Sequence, residues 1–146
     1  MGNAPDSWGI WFPQDKRQVD GRSSLDEVHE AGYTCIELGP WGYLPTDSDV
    51  LKTELAKRNL KLVASTVGCD LNDDDSVEEL IKALPEITAL QKDLDAGFVV
   101  LLPPMITDLF TGEEVLPRTL TDDQRQHFNA KIEVLTPSMR AMLTNS

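Results

Sequence analysis

The sequence predicts an α/β fold in which four strand–helix units build one parallel sheet. Three observations predict it: four short apolar or β-rich runs, an amphipathic helical pattern after each, and a helix-start signal that recurs four times. Strands joined through crossover helices run parallel, with right-handed connections.

The strand candidates are residues 7–12 (SWGIWF), 34–38 (TCIEL), 60–66 (LKLVAST) and 98–102 (FVVLL). Each expected helix starts at a Ser or Thr whose third following residue can reach back to a free amide: Ser24 with Glu27, Thr46 with Asp49, Ser76 with Glu79, and Thr121 with Gln124. Apolar spacing supports the same helices. Leu25 and Val28 precede an Ala31-Gly32 stop, and Leu51 and Leu55 lie one turn apart. Val77, Leu80, Ile81, Leu84 and Ile87 follow the 3.6-residue period, as do Phe128, Ile132 and Leu135. Pro85 and Pro137 are expected to kink or interrupt their helices, because each removes an amide donor.

At 146 residues the chain is expected to be a single domain, and 40% hydrophobic against 26% charged residues places it among folded globular chains. The longest apolar run, FVVLL, is far too short to span a bilayer, and MGNAPDSWG lacks the features of a secretory signal. A cytoplasmic location is therefore expected. A net charge of -12 argues against nucleic acid or an anionic membrane as a partner, since phosphates would be repelled at long range. Cys35 and Cys69 have neither zinc-ligand spacing nor a disulfide framework. They fall at opposite ends of neighbouring strands, too far apart to bridge, and are expected to be free thiols.

In a parallel α/β sheet the loops after the strands carry the chemistry. Those loops collect Asn3, Asp6, Ser7 and Trp8, then Glu37, Trp41 and Tyr43, then Thr66 and Asp70, then Pro103-Pro104. Glu37, ending a buried strand with a carboxylate where polar groups converge on a ligand, is the candidate catalytic residue; the alternative is a solvated loop carboxylate. Aromatic rings beside hydroxyls and carboxylates suit a sugar or polyol, which has apolar faces and polar edges. Asn3, Asp6, Trp8, Trp41, Tyr43 and Thr66 are the candidate binding residues; the alternative is that the tryptophans are core and the polar groups form turns.

Asp70, Asn72 and Asp74 alternate as in a calcium loop, but Asp75 stands at the sixth position instead of Gly and Ile81 at the twelfth instead of Glu. Helix capping is the expected role. His29 and His127 fall inside predicted helices, away from the loop edge. No nucleophile elbow, phosphate loop or dinucleotide fingerprint is present. The run MITDLFTGEEVLPRTLTDD is long for a connection between a strand and a helix, and long loops are usually functional or disordered. Its Arg118 is expected to pair with Glu113 or Glu114.

The stretches GNAPDSWGIWFP, AGYTCIELGPWGYLPTD, LLPPMITDLFTGE and LPRTLTDDQ resemble the sugar phosphate isomerase/epimerase family of xylose isomerase-like TIM barrels, in particular the inosose (2-keto-myo-inositol) dehydratase branch. The resemblance runs from about residue 2 to residue 135. It implies a (β/α)8 barrel with a divalent metal (Mn, Mg or Co) at the carboxyl ends of the strands. The metal would polarise a keto or hydroxyl oxygen, so that a carboxylate or histidine can take the neighbouring carbon-bound proton. By position Glu37 resembles the carboxylate such proteins place after strand 2, with Trp8, Trp41 and Tyr43 walling the sugar.

A full barrel takes about 250 residues; this chain stops after four units, and the metal ligands of later strands have no counterparts. Gly21 and Cys35 stand where the resemblance implies bulkier aromatics. After Leu135 the text TPSMRAMLTNS departs from the family, which points to a truncated or shifted reading frame or to a deliberate half. The expectation is that residues 1–146 form the N-terminal half of a barrel, with 136–146 a divergent tail. The isolated chain is expected to bind no metal and to be inactive or weakly active. Its two open edges are expected to close by dimerisation, by a higher oligomer, or with a separate C-terminal half. A non-enzymatic polyol-binding or assembly module and a small doubly wound sheet are the alternatives.

Overall fold

In the computed structural model, which describes residues 1–144, strands β1 (Gly2–Asn3), β2 (Cys35–Glu37), β3 (Lys61–Gly68) and β4 (Phe98–Leu102) alternate with four helices. These are α1 (Gly21–Glu30), α2 (Ser48–Ala56), α3 (Asp74–Asp93) and α4 (Asp122–Thr144), and a 3-10 turn covers Pro5–Trp8. The departing tail continues α4 as far as Thr144, and its last two residues lie outside the described ones.

All neighbouring strands pair in parallel, in the order β1-β2-β3-β4. Right-handed crossovers that each add a strand beside the previous one place every connecting helix on the same face. A doubly wound sheet reverses direction at a switch point. This sheet has no reversal, so it is an arc with helices outside and a bare inner face.

The first strand is not where the apolar run suggests. Pro5 sets the φ angle that opens the 3-10 turn, and Gly9, left-handed at φ 75, closes it. The ladder hydrogen bonds go instead to Gly2 and Asn3, opposite Cys35 and Ile36. SWGIWF is apolar because Ile10 is fully buried and Trp8 packs on the core from a loop; burial, not strand pairing, explains its composition.

Three helix starts also move. Asp20, Asp47 and Asp73 are the N-caps of α1, α2 and α3, each accepting from one or two amides of the first turn. Ser24 lies within α1 and donates to the Gly21 carbonyl instead. Only Thr121 forms the reciprocal box, accepting from the Gln124 amide while Gln124 Oε1 accepts from the Thr121 amide. The proline-bearing helices run through. Pro85 deprives the Ile81 carbonyl of its partner, but Ile81 is 46% exposed, so water can reach that turn. Exposure also takes Ile81 off the buried stripe of α3.

Two clusters form the core between helices and sheet. One gathers Leu25, Val28, Ile36, Leu51, Leu55 and Leu62; the other gathers Val67, Leu71, Val77, Leu80, Leu84 and Ile87. Fully burying such a side chain contributes about 1.5–3 kcal/mol. Gly21 admits no larger residue here, because a Cβ would lie 2.9 Å from the Tyr43 carbonyl oxygen.

The register between β2 and β3 slips once: Ile36 pairs with Leu62, and Glu37 with Ala64. Val63 is passed over as a bulge. Leu62 can then join the helix-side core with Ile36, while Ala64, Thr66 and Gly68 share the inner face with Glu37. Along β4, Val99 and Leu101 pack against the helix-side core, which turns Phe98, Val100 and Leu102 inward.

Glu54 of α2 is buried at 6% exposure and bonded to Lys57 Nζ at 2.9 Å and Arg58 Nη1 at 2.8 Å; Arg58 also holds Asp26 of α1 at 2.6 Å. The Lys57 and then the Arg58 hydrogen bond hold its carboxyl down to about 2 against the cost of burial. A folded-state value below the unfolded one stabilises at neutral pH, and that contribution is lost as pH falls from 4.5 toward 2. Urea unfolding across pH is expected to show a stability loss in that window, and Glu54→Gln is expected to flatten it while lowering stability at pH 7.

Candidate functional site at the carboxyl ends of the strands

Glu37 ends β2 on the inner face, half-buried, and its Oε2 accepts a 3.0 Å hydrogen bond from Thr66 Oγ1 on β3. The bulge creates this pair, since a regular ladder that paired Val63 with Glu37 would turn Thr66 toward the helices. The chain then leaves through Gly39 (φ 68), where a Cβ would lie 2.6 Å from Pro5 Cγ. Glycine permits that close approach and locks the β2 exit against the turn after β1.

Next to the pair, the loops enclose a cleft of about 240 Å³ lined by Asp6, Trp11, Phe12, Thr66, Leu102 and Met105, among others. One carboxylate and one hydroxyl stand here among aromatic and aliphatic walls. Trp11 and Phe12 escape sequence inspection because residues 7–12 read as a strand. Once β1 ends at Asn3, they fall in the loop beyond its carboxyl end.

The six candidate binding residues do not converge. Asp6 and Thr66 line the cleft. Trp41 lies next door, in a groove of about 280 Å³ shared with Thr66, Ser76 and Glu79, and packs on both core clusters. Asn3 turns its Oδ1 onto the Ala4 amide at 2.7 Å, opposite Ile36 in the ladder. Trp8 and Tyr43 are outside the cleft altogether. Trp8 Nε1 donates to Glu27 Oε2 at 2.7 Å, and its ring meets Tyr33 edge-on at 6.2 Å. Tyr43 packs on the helix-side core and donates to the Val19 carbonyl at 2.8 Å; burial pushes its phenol upward. The resemblance implies that both rings wall a sugar, but Trp8 is drawn onto α1 by Glu27 and Tyr43 onto the segment before α1 by the Val19 carbonyl.

The long β4–α4 loop is ordered. Thr107 and Glu114 form an antiparallel bridge, and Asp108 Oδ1 accepts from the Phe110 and Thr111 amides at 2.9 and 2.7 Å. Those amides lower its carboxyl below the usual range. The loop reaches back across the mouth: Phe110 lies 6.4 Å from Phe12, and the Arg17 guanidinium sits 4.2 Å over the Phe110 ring. Arg17 is itself fixed by two hydrogen bonds to Asp15, which hold the Asp15 carboxyl down to about 2. Arg118 pairs with Glu114 at 3.0 Å.

Asp70 accepts from the Asn72 amide, and Asp73 caps α3, so the acidic run organises a helix start. His29 lies in α1, and His127 lies in α4, 3.6 Å from Asp74. Both thiols are free, and burial raises that of Cys69. Glu37 has a hydroxyl for a neighbour where a metal site needs further carboxylates or imidazoles. Among the described residues no three His, Cys, Asp or Glu side chains converge. A divalent cation needs several donors around one point, so these side chains do not fit the metal that the resemblance implies. No described helix is long and apolar enough to cross a membrane.

No family model and no curated protein matches the sequence. Solved structures do share its fold, and they define it as half of a (β/α)8 barrel. D-psicose 3-epimerase from Clostridium cellulolyticum H10, solved with D-tagatose, superposes over 97% of this chain and 49% of its own, with a TM-score of 0.63 at 12% identity. An L-ribulose 3-epimerase superposes over 98% of this chain and 46% of its own, with a TM-score of 0.59 at 19% identity. The probable 3-DHS dehydratase AsbF of Bacillus anthracis, involved in petrobactin synthesis, superposes over 97% and 48%, with a TM-score of 0.59 at 12% identity. The chain thus spans about half the length of the structures it matches.

Trp8→Phe is expected to cost about 1 kcal/mol in urea unfolding through loss of the Glu27 hydrogen bond, with sugar titrations of the cleft unchanged.

Proposed function

We propose that this chain is a sugar- or polyol-binding half of an isomerase/epimerase-type barrel, with Glu37 as the base facing the bound ligand. The observation that carries the proposal is the Glu37–Thr66 pair, at 3.0 Å, beside a small cleft walled by Trp11 and Phe12. The fold shared with two sugar 3-epimerases supports it. The sequence resemblance to inosose dehydratases adds keto-inositols to ketoses as the substrate class.

Chemically, Thr66 fixes one oxygen of Glu37 and leaves Oε1 free. A ketose lying on the aromatic wall would present the C–H next to its carbonyl to Oε1. That C–H bond breaks, the proton moves to Glu37, and the electron pair passes to the carbonyl oxygen as an enediolate. Returning the proton to the same face restores the substrate. Inversion needs a second donor on the opposite face, and elimination needs an acid at the leaving hydroxyl; Glu37 supplies neither. The isolated half is therefore expected to exchange a proton weakly or only to bind. The second reading is a polyol-binding module without turnover.

The test is NMR titration with D-tagatose, D-psicose and 2-keto-myo-inositol, followed in D2O for deuterium at the carbon beside the carbonyl. Saturable binding is expected, weakened at least about tenfold by Trp11→Ala through loss of ring stacking. Any deuterium incorporation is expected to vanish in Glu37→Gln while binding persists. Absence of binding by all three ligands retires the proposal.

A further inference from the structure

We propose that the open side of the half barrel is an interface for a second copy of this chain, closing eight strands about a two-fold axis parallel to the strands. This rests on the fold alone and stands whether or not the cleft takes a sugar.

Sheet order leaves β1 and β4 each with one neighbour among the described residues, so both outer edges carry unpaired backbone donors and acceptors. Apolar exposure is marked on the β4 side: Phe98 points inward and is 71% exposed, and Ile106 and Leu109 are exposed on the loop that leaves β4. Beside the same edge, β4 and α4 frame a groove of about 440 Å³, lined by Phe98, Val99, Leu101, Ile132, Leu135 and Met139 among others. Thr136 and Arg140 of α4 line it as well. In the connected part of the arc, the space between one strand and the next is filled by core; here it lies open.

The geometry selects the occupant. An edge of a uniformly parallel, curving sheet is continued by another parallel strand whose crossover helix lies outside. A two-fold axis along the strands presents β1 of a second copy to β4 with that polarity, and by symmetry β4 of the second copy to β1. Four strands from each copy make eight, the number at which side chains fill a barrel interior. Structures sharing the fold are about twice as long as this chain, the size of two copies. Each chain carries a net charge of -12, so apolar burial must outweigh repulsion, and association is expected to strengthen with salt. Capture of a basic partner would weaken with salt.

Sedimentation velocity of the 146-residue chain over a concentration series, at low and high salt, tests this. The expected result is reversible association to twice the 16.2 kDa chain mass, stronger at high salt. Phe98→Asp and Thr136→Arg, both at exposed positions, are expected to raise the dissociation constant at least about tenfold, with unchanged circular dichroism. Ile81→Lys, on the outer surface of α3, is expected to leave it alone. A monomer at every concentration and salt overturns the proposal, as does a dimer that neither Phe98→Asp nor Thr136→Arg weakens.

Discussion

The one-residue slip between β2 and β3 is the constraint on which the inner face depends. Because Glu37 sits opposite Ala64 while Ile36 sits opposite Leu62, apolar residues reach the helices from both strands and polar ones reach the concave side. A strand alternates sides with a period of two, so one extra residue exchanges the faces of everything beyond it. Were Val63 paired with Glu37 in the ladder instead of skipped, Thr66 would turn to the helix side and Glu37 would lose its partner. The same slip carries into β4, where Ala64, Thr66 and Gly68 sit beside Phe98, Val100 and Leu102.

The helix layer has the more conventional stability. Leucines of α1, α2 and α3 interlock above the sheet, and aspartate caps satisfy amides at three helix starts. The Asp26–Arg58–Glu54 set binds α1 to α2 across the outer surface, with Glu54 buried and its charge shared among Lys57, Arg58 and Arg22. On the inner side the described residues supply no equivalent layer, and Phe98 is 71% exposed. One face of the arc is finished and the other is bare. The cleft and the open edge both follow from that difference, since a closed barrel covers its interior with eight strands.

The mouth is partly closed from within the chain. The β4–α4 loop, stiffened by Asp108 and the Thr107–Glu114 bridge, crosses to Phe12 and Arg17 and so links the last strand to the first. This contact meets Phe12, which lines the cleft together with Trp11 and Thr66. Its long span in the sequence is thus spent on structure as well as reach.

By itself the sequence determined the four βα units, their parallel sense, helices α1 to α4, the end of β2 at Glu37, the free thiols and the Arg118 pair. Those features depend on periodicity, caps and short separations, all of which are local. Only the tertiary structure decided that β1 is Gly2–Asn3, that Trp11 and Phe12 line the cleft, that Trp8 turns onto α1 and that Tyr43 bonds the Val19 carbonyl before it. The physical reason is that an aromatic residue's composition signals burial without naming the surface that buries it. The Val63 bulge, which sets the partner of Glu37, is likewise invisible in one strand, because a register exists only between two.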